Sequence, residues 1–142
     1  MNEKVKFWLM KAFEDWKVLE VEMKLSENEI STSAVCFHSQ QFVEKLLKAY
    51  LTMKNIPFGR THVLEVLLES CKTQDEDFSS LDLKNLSKYA VEIRYPDEFY
   101  IPSLEEARKC FEIASKTREL VLRKLGVEEK EVLEWIKEWM EK

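Results

Sequence analysis

Two imidazoles, His38 and His62, are the side chains of this chain that titrate near neutral pH, so acid–base chemistry would have to start from them. His62 stands two positions after Arg60, where it could meet a ligand or a phosphate. Its favoured role is a simpler one, a hydrogen bond at the start of a helix. His38 borders an apolar stripe and reads as a satisfied core or interface histidine. Arg94 is the strongest single candidate for binding, because a planar guanidinium suits bidentate recognition of phosphate. Tyr95 and Asp97 flank it and complete a candidate ligand site. Asp97 and Glu98 could equally consume the charge and make Arg94 a structural pin, and both readings stand. Gln40, Gln41, Glu44, Lys45 and Lys48 place polar groups on neighbouring faces of one helix, and Glu44 with Lys48 is a favourable i,i+4 pair.

Other chemistries lack their residues. Cys36, Cys71 and Cys110 are odd in number and have no metal-ligand spacing, so they read as small buried hydrophobes in a reducing cytoplasm. No metal site is expected. The two glycines, Gly59 and Gly126, are too far apart for a phosphate loop. No cofactor is expected, and no Ser or Cys nucleophile has a paired base.

Helices must position these residues. Val5, Trp8, Leu9, Ala12, Trp16, Leu19 and Met23 recur at three- and four-residue steps and predict a helix over about 3–25. A second helix starts after Ser31 or Ser33 and reaches about Lys54, with Val35, Phe42, Leu46, Ala49 and Met53 as its core stripe. Pro57 and Gly59 end it. Thr61 reads as the N-cap of a short third helix through Val63, Leu64, Leu67 and Leu68. Residues 73–80 read as a polar surface loop. Ser79 or Ser80 then caps a fourth helix through Leu83, Leu86, Tyr89, Ala90 and Ile93. The stretch 94–103 holds two of the three prolines and three aromatics and must break the helix. Ser103 and Glu106 form a capping-box pattern for a helix that runs to Gly126. A last helix spans about 128–140, with Val132, Trp135, Ile136 and Trp139 on one side.

Composition agrees with one all-α domain over residues 1–142: a core over about 3–125 and an additional C-terminal helix. The chain has 142 residues, 45% apolar and 35% charged, with only two Gly and three Pro. Few turn residues with much Glu, Lys and Leu favour long helices. Abundant Glu and Lys with few Gln is a composition that thermophilic proteins share. A net charge of −5 opposes bulk binding to nucleic acid. Charges interrupt the N-terminal segment, so it lacks signal-peptide form. No apolar run is long enough to cross a bilayer, and a cytoplasmic protein is expected.

The second helix reads Phe37-His-Ser-Gln-Gln-Phe-Val-Glu-Lys-Leu-Leu-Lys-Ala-Tyr-Leu. It resembles the signature helix of the HEPN family (higher eukaryotes and prokaryotes nucleotide-binding). Trp8, Ala12 and Asp15 in the first helix, His62 after the Pro57 turn, and Tyr89, Arg94, Tyr95 and Pro96 before the long helix match further family marks. The match covers about residues 5–122. The resemblance implies an up-down bundle of four to five core helices plus the short C-terminal helix, and a homodimer. It also implies a minimal nucleotidyltransferase protein as partner, often in a toxin–antitoxin couple, with nucleotide binding proposed for some members. Gln41 and Lys45 would then face a polar site shared between subunits.

The family's ribonucleases resemble one another in an Arg and a following His with four to six residues between them. Here those positions after Arg94 are Phe99 (one past Glu98), Tyr100 and Ile101, and Arg60 precedes His62 by only two. The expectation is a non-catalytic module that dimerises and binds a nucleotidyltransferase, a nucleotide, or both. The alternative is a diverged endoribonuclease toxin built on Arg94 and tyrosines. Tyr95 or Tyr100 could donate a proton, but a phenol pKa near 10 makes a poor base.

Overall fold

A computed structural model describes residues 1–91 and 96–142. Five α-helices carry the fold: α1 (Glu3–Met23), α2 (Thr32–Met53), α3 (Leu64–Gln74), α4 (Leu104–Leu125) and α5 (Glu129–Met140). The described residues contain no strand, so the chain is an all-α bundle.

The α2 helix is the hub and packs against α1, α3 and α4. It runs antiparallel to α1: Asp15 meets His38 and Lys45, while Trp8 lies by Lys48. Thirteen of its residues are buried, too many for one amphipathic stripe, as expected of a helix covered on several sides. Phe42 is fully buried against the rings of Phe13 and Trp16, with centroids 5.4 and 4.9 Å away. Trp16 also stacks on Phe111 of α4 at 5.4 Å. Offset and edge-on contacts like these add to the burial energy of the rings.

Helix ends follow local chemistry in three places. Ser31 Oγ accepts from the Ala34 N–H and starts α2. Ser103 and Glu106 make the expected capping box at α4. Gly126 ends α4 in the left-handed region at φ 68°, which costs glycine little. The α1 helix stops at Met23, two residues short of expectation, and a 3₁₀ turn follows at Glu27–Glu29.

Two expectations fail from the start of α3 to the start of α4. The cap of α3 is Val63, not Thr61; Thr61 Oγ1 accepts only from the Val63 N–H. The Leu64 N–H goes instead to Ser87 Oγ at 2.9 Å, from a segment 23 residues away. The fourth α-helix expected after Ser80 is absent among the described residues; a 3₁₀ turn at Leu86–Tyr89 stands there. The Asp82 carboxylate accepts the Lys84 N–H, and Lys84 sits at φ 53°, which no α-helix allows. The apolar reading survives, because Leu83 and Leu86 are buried even so. Ile93 lies outside the described residues. The expected loop at 73–80 is in part ordered: Glu76–Ser80 is a 3₁₀ helix with Phe78 fully buried, 4.6 Å from the Tyr50 ring.

The α5 helix packs on α1. Val132 is fully buried, Trp135 and Ile136 are partly buried, and Trp139 is exposed with its ring edge-on to Phe7 at 5.8 Å. No described helix is long and apolar enough to cross a membrane.

Candidate functional site

The polar residues of α2 divide into two clusters, each organised by a carboxylate that the interior holds. Asp15 of α1 is buried. Its Oδ2 accepts from Lys45 Nζ at 2.6 Å, and its Oδ1 lies 2.7 Å from His38 Nδ1. A carboxylate can only accept, so His38 Nδ1 carries a proton and donates it; in the neutral ring Nε2 is then the acceptor. This fixes the ring as an orienting carboxylate does in acid–base sites.

Glu44 is the second centre and is 3% exposed. Its Oε2 accepts from Lys48 Nζ at 3.0 Å and its Oε1 from Gln40 Nε2 at 3.1 Å. His62 Nδ1 lies 3.0 Å from Oε2, although the imidazole itself is largely exposed. Gln41 donates to Gln40 Oε1 at 2.7 Å and joins the chain. Lys48 is buried between aromatic faces, 5.4 Å from the Trp8 centroid and 5.7 Å from that of Phe58.

Gln41, Lys45 and His62 are thus brought to one side of α2, but through two carboxylates rather than one shared site. Asp97 stands apart, exposed in the 3₁₀ turn Pro96–Glu98. Arg94 and Tyr95, and the side chain of Glu98, lie outside the described residues.

Beside that turn the structure places two adjoining cavities. One, of about 220 Å³, is lined by the aromatic residues Phe37, Tyr89, Phe99 and Tyr100 together with Ser33, Val91, Ile101 and Pro102. The other, of about 340 Å³, opens on Lys88, Tyr89, Tyr100, Glu106 and Cys110. Glu106 ties the two together. It accepts from the Tyr89 hydroxyl at 2.6 Å, from the Tyr100 hydroxyl, and from the Ser103 N–H. Bonds from Tyr100 and Tyr89 hold its carboxyl down to about 2. The same carboxylate pushes the Tyr100 phenol above its ordinary value; burial and then Glu106 do so for Tyr89. Both phenols stay protonated at neutral pH and are donors, not bases.

Sequence reasoning treated Glu44 as half of an i,i+4 pair and Glu106 as half of a capping box, and missed both as hubs. For Asp15 a signal existed: a carboxylate three residues after Ala12 and four before Leu19, on the apolar face of a helix, needs a partner.

The bundle, the polar ridge of α2 and the cavity by the Pro96 turn can now be set beside known proteins. No curated protein and no solved structure matches the chain. The HEPN domain family model matches residues 5–125, which span α1 to the end of α4. The chain belongs to the HEPN domain family.

Proposed function

We propose that this chain is a non-catalytic HEPN module that dimerises and binds a minimal nucleotidyltransferase protein, in a toxin–antitoxin pair, with a nucleotide seated at the Arg94-Tyr95-Pro96 break. The observation that carries the reading is the aromatic cavity of Phe37, Tyr89, Phe99 and Tyr100 next to the Pro96–Glu98 turn. Aromatic faces stack nucleobases without demanding one sequence, and phenols held protonated offer hydrogen-bond donors. Arg94 directly precedes Tyr95 and supplies the phosphate partner. The chain lacks the spacing of Arg and His that the family's nucleases carry.

Thermal melts with a panel of nucleotides test the ligand. At about 100 times the dissociation constant, a bound nucleotide raises Tm by several degrees. Arg94→Ala removes the shift while the ligand-free Tm stays put. Co-expression with the product of the neighbouring gene, followed by co-purification and light scattering, tests the partner. A monomer that retains no partner refutes that half of the reading.

The Asp15–His38 pair favours a second reading, a diverged ribonuclease toxin, because it orients an imidazole with Nε2 available. Expression in cells discriminates. Growth arrest relieved by both His38→Ala and Arg94→Ala supports the nuclease; arrest that neither relieves excludes it.

A further inference from the structure

The three cysteines do not share one environment. Cys71 packs near the Leu47 carbonyl, 4.0 Å away, and burial pushes its thiol up to about 12. Cys36 of α2 and Cys110 of α4 meet instead, with sulfurs 3.3 Å apart although they are 74 residues apart in sequence. Both are free thiols. A disulfide needs the sulfurs closer by only about 1.3 Å. Cys36 is fully buried; Cys110 is also buried, at 4% exposure, but lines the 340 Å³ cavity with Lys88, Tyr89, Tyr100 and Glu106. The pair therefore has an inner sulfur and one that a small molecule can reach.

We propose that Cys36 and Cys110 form a peroxide-responsive dithiol–disulfide pair that links α2 to α4, with Cys110 as the sulfur attacked through the cavity. The Cys110 thiolate attacks one oxygen of hydrogen peroxide; the O–O bond breaks, and the second oxygen leaves as water after taking a proton. Cys110 becomes a sulfenic acid. The Cys36 sulfur then attacks the Cys110 sulfur, the S–O bond breaks, and hydroxide leaves with the Cys36 proton as a second water. Two thiols lose two electrons, and one peroxide is reduced to two waters. The order of attack follows from access: Cys110 lines the cavity, whereas Cys36 is fully buried behind it and meets peroxide only through the Cys110 sulfur. Lys88 assists the Cys110 thiolate, and Glu106 opposes it. The reaction does not depend on a nucleotide or a partner protein.

The test uses the full chain, reduced and then treated with hydrogen peroxide. Thiols are alkylated after denaturation and the product is mapped by mass spectrometry. The expected product has lost two hydrogens, carries a Cys36–Cys110 linked peptide, keeps Cys71 alkylatable, and returns to the dithiol with dithiothreitol. Its Tm rises by roughly 10 °C, because the crosslink closes a long loop in the unfolded chain. In Cys36→Ala the Cys110 sulfenic acid persists and dimedone traps it; in Cys110→Ala, Cys36 stays reduced. The wild-type map decides alone if either variant fails to fold. An unchanged mass, a disulfide between two copies, a bond to Cys71, or Cys110 driven to sulfinic acid beside a free Cys36 overturns the proposal.

Discussion

Glu44 answers Lys48, Gln40 and His62 from a buried position, and Lys48 is almost as buried as its partner. Breaking such a pair on one side strands a charge in the interior. Glu44→Leu should therefore cost about 3–5 kcal/mol in urea unfolding. The double variant Glu44→Leu/Lys48→Met should recover most of that loss, since two apolar side chains can replace a buried ion pair. Equal losses in the single and double variants would refute the coupling. Glu106 gives a pH signature. Its folded value, about 2, lies below the ordinary 4.5, so the stabilisation it brings is present above 4.5 and is lost as pH falls through about 2. Glu106→Gln should lose less stability than the wild type between pH 4.5 and pH 2. Parallel acid titrations of the two proteins check the slope. Of these residues the sequence revealed types and local spacing. The convergence of Tyr89 and Tyr100 on Glu106 was hidden, because neither pair has helical spacing: the residues are 17 and 6 positions apart.

The ends of the helices show which local signals suffice. The capping box at Ser103 and the left-handed Gly126 were both readable, since each is a contact within a few residues. Ser103→Ala should cost about 1 kcal/mol. Gly126→Ala should cost about 1–2 kcal/mol through backbone strain alone, because no atom lies within 4 Å of the added methyl. The start of α3 obeys a different rule. Its cap comes from Ser87, whose hydroxyl accepts the Leu64 N–H and donates to Glu65. Ser87→Ala should thus destabilise α3 by about 1 kcal/mol, as an N-cap removal would. Chemical denaturation together with amide exchange at residues 64–68 would show it. A faster exchange elsewhere but not there would count against the assignment.

At the scale of the molecule, α5 lies outside the family match, which ends at residue 125. It is fastened by the buried Val132, by Trp135 beside Lys6, and by the Arg118–Glu129 ion pair at 2.9 Å. Arg118 in turn lies 5.3 Å from the Trp16 ring, so α1, α4 and α5 share one joint. A chain cut after residue 127 should remain helical and cooperative with a Tm lower by roughly 5–10 °C, because it loses one buried aliphatic side chain and part of two aromatic contacts. Circular dichroism melts measure this. Loss of cooperativity would show α5 to be part of the core.

Local regularities were settled by the sequence alone. Residues three and four apart face the same way on a helix, so periodicity revealed the five α-helices, and glycine, proline and serine marked several of their ends. The same logic misread 81–90, where apolar spacing is helical but Asp82 and Lys84 turn the backbone away. Only packing decided the long-range partners: Ser87 on α3, Lys124 on Asp75 and Asp77 of the acidic turn, and Cys36 on Cys110. These contacts join residues that are 23 to 74 positions apart. A side chain reaches them only after helices have docked, and docking depends on the summed shape of many buried faces, which no short stretch of sequence encodes.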